Sequence, residues 1–369
     1  MSYRFIVVGM DVHKKKIVIA VLYPDMDRVT EWLTIDNTPE AIEKMVRRIT
    51  AKGQAVFCYE AGVCGYTVHR QITAMGFTCE VIAPALTPRR PGDRVKTDRR
   101  DAEKLARYLR AGELTVIRIP TREEEAVRDL VRVREDTIAD LTRARHRLGK
   151  FLIRQGRVYH ETKGWGVAHR AWLQSLRFDL PSLQTTLEAY IRYVEEAEDR
   201  LVEMDQHVEE LAKRPCYATR VRLLRCLKGI DTLSALTLVA EVQDFERFGK
   251  APGFMAFTGL VGSEYSSGER VVRGEITRMG NAHIRRVLVE AAWHARRPHT
   301  LSQALAERRR GCPQEVVAIA RRAQRRLHRK YWRLLQRGKR PQIAVVACAR
   351  ELAGFIWAIS RHFPAAQAA

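Results

Sequence analysis

Four carboxylates in the first third of the chain are of the right type for metal-dependent phosphoryl chemistry. Asp11 closes the apolar run "RFIVVGMDV", and Glu60 closes "QAVFCYE". Asp98 and Asp101 stand three apart in "VKTDRRDAEKLARYLR", residues 95–110. In a helix that spacing puts both on one face. If the two runs are neighbouring strands and the helix follows them, the acids meet in a small volume where only cations relieve their repulsion. Two divalent ions about 4 Å apart would do so, and would clamp the attacking and leaving oxygens of a phosphodiester. Each acid also has a plainer reading: Asp98 as a helix N-cap, Asp101 as a first-turn acid, Asp11 as a turn residue, Glu60 as an exposed strand end.

The surroundings point to a polyanionic substrate. Lys14, Lys15 and Lys16 follow Asp11, and nine basic residues lie between Arg89 and Arg110, among them Arg99 and Arg100 between the two aspartates. Those two are candidate phosphate contacts. The 369 residues carry 65 Lys plus Arg against 43 Asp plus Glu, a net charge of +22. An excess of that size favours nucleic acid as partner. From Val316 to Arg350 there is no acid, and "RRAQRRLHRKYWRLLQRGKR" holds ten Lys and Arg with Tyr331 and Trp332 among them. A merely solvated face mixes signs, so this one is expected to face nucleic acid.

Other classes are disfavoured. The apolar runs "LSALTLVAEV" and "QIAVVACA" are of core length, short of the roughly 18 residues a membrane span needs, so no membrane role is expected. The start of the chain lacks a signal-peptide pattern. The seven cysteines (58, 64, 79, 216, 226, 312 and 348) are scattered, with no C-x-x-C pair. Reduced cytoplasmic thiols are the expectation, with packing roles for Cys58 and Cys64.

The elements that must position the acids can be read from periodicity. "RFIVVGMDV", "KIVIAVLY" and "VTEWLTI" read as consecutive strands. "TPEAIEKMVRRITAKG" reads as a helix with Pro near its start and Gly at its stop, then strand, helix and strand follow through "TCEVIAP". That order is the order of the ribonuclease H-like fold. From residue 122 the pattern becomes long helix. Leu187, Val194, Leu201 and Val208, with Tyr190, Ala197, Met204 and Leu211, repeat every seven residues as an a/d seam. The upstream helix keeps the register less cleanly, with Arg134 and Arg145 on seam positions. The pair reads either as a coiled-coil arm for self-association or as a hairpin packed within one subunit.

The remainder is mainly helical. "LKGIDTLSALTLVAEV" resembles a helix-hairpin-helix that offers backbone amides to phosphate, although Asp231 stands where a second glycine is usual. "FTGLVGSEYSSGERVVRGEITRMGN" is a loop or short hairpin. The expected divisions are an α/β nuclease domain over 1–121, a helical arm over 122–214, a C-terminal domain over 215–310 and a basic helical extension over 311–369.

"GMDVHKK", "YEAG" and "KTDRRDAEKLA" resemble the DEDD transposases of the insertion-sequence 110 family, which includes the Piv-type DNA invertases. "GLVGSEYSSGERVVRGEITRMGNAHIRRVLVEAAW" resembles their C-terminal transposase domain. The resemblance spans about 5–110 and 222–300. It implies a RuvC-like domain in which Asp11, Glu60, Asp98 and Asp101 bind Mg²⁺, two ions per site. It also implies that a serine of "YSSG", Ser266 with Ser267 as the adjacent alternative, attacks the scissile phosphate and forms a covalent phosphoserine. Arg270, Arg273 and Arg278 are then candidate phosphate contacts around the serine. Further implications are a structured guide RNA that pairs with donor and target DNA, and a homo-oligomer, dimer or tetramer, in which acids and serine meet on one DNA. Two rivals remain: a Holliday-junction-type metal nuclease that uses water, and a non-catalytic nucleic-acid-binding protein.

Overall fold

The computed structural model describes residues 5–88, 97–161, 164–267 and 270–364, without the side chains of Val271 and Arg273. The chain divides into two compact units, Met1–Pro120 and Thr121–Ala369. The arm, C-terminal domain and basic extension of the sequence reading all fall in the second.

The first unit runs β1 (Ile6–Val12), β2 (Lys16–Leu22), β3 (Glu31–Asp36), α1 (Pro39–Thr50), β4 (Ala55–Glu60), α2 (Thr67–Ala74), β5 (Thr78–Ile82) and α3 (Asp98–Ala111). Its sheet has the order β3-β2-β1-β4-β5. β1 is antiparallel to β2 and parallel to β4, and β4 is parallel to β5. This mixed sheet with flanking helices is compatible with the RuvC-like, ribonuclease H-like fold expected from the strand order.

The sheet sorts its apolar residues by the period-two alternation of strands. Val8, Met10, Ile17 and Ile19 pack with Met45, Val46 and Ile72 of α1 and α2. Val7, Val18, Ala20 and Leu22 pack with Ala102 and Ala106 of α3. Between the last two, Gly9 lets helix backbone lie directly on β1: a Cβ there would stand 2.1 Å from the Ala102 carbonyl oxygen and 2.5 Å from the Ala106 nitrogen. Glycine at that point fixes how close α3, and the acids it carries, come to the end of β1.

The second unit begins with α4 (Arg122–Arg154), α5 (Val167–Ser175) and α6 (Pro181–Ala212). It continues with α7 (Pro215–Leu224), α8 (Thr232–Val242), α9 (Ala251–Phe257), β6 (Gly262–Ser267), β7 (Arg270–Ile276), α10 (Ala282–Ala292), α11 (Gln303–Arg309), α12 (Gln314–Gln336) and α13 (Pro341–Ser360). α4 opens on a capping box, in which Thr121 and Glu124 satisfy each other's backbone amides. It lies antiparallel to α6: Arg134 Nε is 2.6 Å from Asp205 and Arg145 is 2.7 Å from Glu198. The two arginines that broke the seam pattern are therefore its cross-helix ion pairs. The seam residues Leu187, Val194 and Ala197 are buried with Leu148, Phe151 and Leu152 of α4 and Leu173 of α5, so this seam packs within one chain.

The core of the second unit collects α7, α8, α10, α12 and α13. α13 corrects the reading of apolar run lengths. It is a 20-residue helix, long and apolar enough to cross a bilayer by length and composition alone. Arg350 and Glu351 made it look like shorter pieces in the sequence. Its Ala344, Val345, Cys348, Leu352 and Ile356 are buried in the core, and Glu351 is ion-paired to Arg326 and Lys330 of α12.

Candidate active site

Asp11 is the next-to-last residue of β1. The β1–β4 register pairs Met10 with Tyr59, so Asp11 and Glu60 come to the same end of the sheet. α3 starts beside them. Its N-cap is Thr97, whose hydroxyl accepts from the Arg100 amide. Asp98 is thereby released from the capping role, and its carboxylate accepts from Lys16 Nζ at 2.7 Å.

The carboxylates of Asp11 and Asp98 and the imidazole of His13 bring one donor atom each within 4.8 Å of one another. His13 Nε2 is 3.1 Å from Asp11 Oδ2 and 3.6 Å from Asp98 Oδ1. Burial, followed by the Asp98 and Asp101 carboxylates, pushes the Asp11 carboxyl above its ordinary range against the pull of His13. The Lys16 hydrogen bond holds Asp98 below it. Asp101 thus acts on Asp11 through space without being a donor in the group. Glu60 is not a donor in it either: its Oε1 accepts the Thr87 hydroxyl at 2.7 Å. Sequence reasoning passed over His13 and the Lys16–Asp98 pair. His13 stands one residue past β1, at the turn into β2 where its amide donates to the Lys16 carbonyl.

The donor chemistry of the group suits a divalent cation. Two carboxylates on a partly exposed rim suit an ion that keeps several of its waters, such as Mg²⁺. The imidazole adds a nitrogen that Mn²⁺, Zn²⁺ or Fe²⁺ would also accept. Lys16 and His13 already place cationic or proton-donating groups against the acids, which marks where positive charge is favourable. The residues fit a bound metal ion.

The candidate nucleophile lies in the second unit. The glycine-rich stretch is an antiparallel hairpin, β6–β7, in which Ser266 faces Val271 and Ser267 faces Arg270. β6 is exposed along its whole length. Ser266 Oγ donates to Glu264 Oε1 at 2.9 Å; the two residues share a strand face at i and i−2. Glu264 is a second residue that sequence reasoning missed. Residues 268–269 and the Arg273 side chain lie outside the described residues. Arg278 pairs with Glu275 at 3.2 Å, and Arg270 is exposed beside the serines. In the first unit, Arg99 lies over the Trp32 ring at 4.0 Å, so its guanidinium already stacks on an aromatic face.

A buried network holds the base of the hairpin. Gly280 follows it with φ +137, and a Cβ there would stand 2.1 Å from the Phe257 carbonyl oxygen. Asn281 then caps α10 by accepting from the Ile284 amide, and donates to Glu241 at 2.6 Å. Glu241, its side chain fully buried, also accepts two bonds from Arg132 of α4. In the turn before α8, Asp231 accepts from the Ser234 amide. The departure from glycine in the helix-hairpin-helix pattern is thus an N-cap, which occupies an amide that a phosphate would need.

Comparison with known proteins agrees with this arrangement. Residues 8–154 match the family model of the DEDD transposases of the IS110 type, and residues 221–307 match that of the IS116/IS110/IS902 transposase family. A Sinorhizobium fredii protein that carries the transposase name y4qE is 40% identical over 98% of this chain and 90% of its own length. The transposase for insertion sequence element IS1533 of Leptospira borgpetersenii is 36% identical over 91% of this chain and 99% of its own length. With the α/β unit that carries Asp11 and Asp98 and the helical unit that carries the serine hairpin each matched by its own family model, the chain belongs to the IS110 family of DEDD transposases, enzymes that act on DNA.

Proposed function

We propose that this transposase cuts and rejoins DNA through Ser266, with Mg²⁺ held by Asp11, Glu60, Asp98 and Asp101. The observation that carries the reading is the meeting of Asp11, His13 and Asp98 at the end of β1. Bound there, two Mg²⁺ ions would neutralise the scissile phosphate and polarise its oxygens. Asp11 and Asp98 position that charge, and His13 orients the Asp11 carboxylate.

Ser266 supplies the nucleophile. A serine hydroxyl is weak at neutral pH and needs a proton acceptor, and Glu264 is hydrogen-bonded to it. In the step, the Oγ–P bond forms as the bond from phosphorus to the leaving strand breaks. The Ser266 proton passes to Glu264, and the leaving oxygen takes a proton from solvent water and departs as a hydroxyl. Attack on the phosphoserine by a second strand's hydroxyl reverses the sequence and frees Ser266. The phosphodiester energy is conserved, so no high-energy cofactor is required.

The same reading includes a structured guide RNA and a homo-oligomer. Base pairing would then choose the site while the protein holds backbone and shape, a division of labour that suits a chain of net charge +22. The test is cleavage of DNA spanning an element junction by the purified chain with Mg²⁺, with and without RNA transcribed from the flanking non-coding DNA. Cleavage that needs both the RNA and Asp11 supports the reading. RNA-independent cleavage removes the guide, and cleavage by Asp11→Asn removes the metal site.

A further inference from the structure

α12 has two faces of opposite character. Val316, Ala320, Ala323, Leu327 and Tyr331 are buried in the core of the second unit. The other face carries Arg322, Arg325, Arg329 and Arg333, all exposed, at helical spacing along one side. The stripe spans about 16 Å at the helical rise of 1.5 Å per residue. Arg326 and Lys330 lie beside it and are clamped by Glu351 at 2.7 and 2.6 Å. No acid among the described residues forms an ion pair with the four stripe arginines. Like charges four apart on a helix destabilise it, so the stripe is held at a cost by the packing beneath it.

Trp332 adds a second observation. The residue is 44% exposed and lines the same surface recess as the stripe arginines. His328 and Tyr331 contact it in T-shaped arrangements, at 6.3 Å and 5.5 Å between centroids, which hold the ring in place. An exposed indole beside a row of arginines is the pairing that takes a nucleic-acid backbone on the cations and an unstacked base on the ring.

We propose that this face of α12 docks unpaired DNA, with phosphates along Arg322, Arg325, Arg329 and Arg333 and a base stacked on Trp332. A transposase exposes such strands when it opens its substrate, and the choice of DNA rests on the family and not on the roles given to the acids or Ser266. A blunt duplex supplies phosphates but keeps its base faces stacked. An anionic membrane would want an apolar helix face to insert, and that face of α12 is already in the core.

The test is fluorescence anisotropy with the full chain in EDTA, where metal-dependent cleavage is silent. The probes are labelled oligothymidylate of about twenty nucleotides, a blunt DNA duplex and single-stranded RNA of the same length, and phosphatidylserine vesicles. Oligothymidylate is expected to bind most tightly. Arg325→Ala with Arg329→Ala and Arg333→Ala should weaken it more than about tenfold and flatten its salt dependence by about two in log–log slope. Removing as many charges from α4, by Arg147→Ala, Lys150→Ala and Arg154→Ala, should cost far less. Trp332→Ala should weaken binding by roughly tenfold and Trp332→Phe should restore most of it. The proposal is overturned if the two triple variants lose affinity equally, if Trp332→Ala binds like the parent, or if the α12 dependence appears only with duplex, RNA or vesicles. Thermal melting of each variant separates loss of binding from loss of fold.

Discussion

Lys16 Nζ lies 2.7 Å from Oδ2 of Asp98, so the first residue of β2 holds the first acid of α3. The pair is half exposed and contributes little to stability. Its consequence is electrostatic, because an ammonium occupies the edge of the donor group where a metal ion would sit. Lys16→Met is expected to raise the affinity for Mn²⁺ by about fivefold or more, since a unit-charge pair about 4 Å apart is worth about 1 kcal/mol even when fully screened by water. Titration followed by electron paramagnetic resonance reads this directly; unchanged or weaker binding would place the ion elsewhere.

Gly9 sets the distance between the acids. A Cβ at 2.1 Å from the Ala102 carbonyl oxygen meets helix backbone, which yields only by moving α3 as a body. Gly9→Ala should cost about 1–3 kcal/mol by overpacking and shift Asp98 and Asp101 away from Asp11. DNA cleavage should fall by at least tenfold with half-saturation in Mg²⁺ moved to higher concentration. Full activity at unchanged metal dependence would show that the α3–β1 spacing does not set the site.

Arg132 and Glu241 tie α4 to α8 inside the second unit. Arg132→Ala leaves a fully buried carboxylate with Asn281 as its remaining named partner. Loss of one member of such a pair costs about 3–5 kcal/mol, and urea denaturation should show it. Arg132→Met with Glu241→Gln should recover much of the loss, since no charge is then buried unpaired.

Acid should destabilise the second unit. Against the upward push of burial, His283 and Arg286 hold the Glu135 carboxyl below its ordinary range. Arg170 and Arg145 do the same for Glu198, and Arg326 and Lys330 for Glu351. A carboxyl whose folded value is depressed stabilises the fold above its unfolded value, about 4.3 for Glu, and loses that contribution as pH falls through the folded one. Melting temperature should therefore be level from pH 7 to about 5 and drop steeply below 4. Glu351→Gln should shrink the drop.

Much of this arrangement was legible in the sequence because it follows from local periodicity. The strand order and the placement of Asp11 and Glu60 at strand ends come from apolar alternation, and the helix that carries Asp98 and Asp101 from its own periodicity, although its cap is Thr97 where the sequence offers Asp98. The rest depended on groups far apart in sequence. The Lys16–Asp98 bond and the close approach of α3 at Gly9 are tertiary, and no local pattern announces them. His13 and Glu264 sit two residues from Asp11 and Ser266, but that spacing matters only once Glu264 is known to share a strand with Ser266 and His13 to begin the turn after β1. The heptad seam shows the same limit: its period predicts a helical partner, and only packing shows that the partner is α4 of the same chain.

The serine mechanism is tested most directly by trapping the protein on DNA. Purified chain, guide RNA, labelled junction DNA and Mg²⁺ are incubated, denatured and resolved, and any adduct is digested and mapped by mass spectrometry. The expected result is a DNA-linked band whose phosphate sits on Ser266, absent in Ser266→Ala and Asp11→Ala and much reduced in Glu264→Gln. Cleavage at full rate with no adduct, unaffected by Ser266→Ala, would contradict the account and leave a metal-dependent nuclease that uses water.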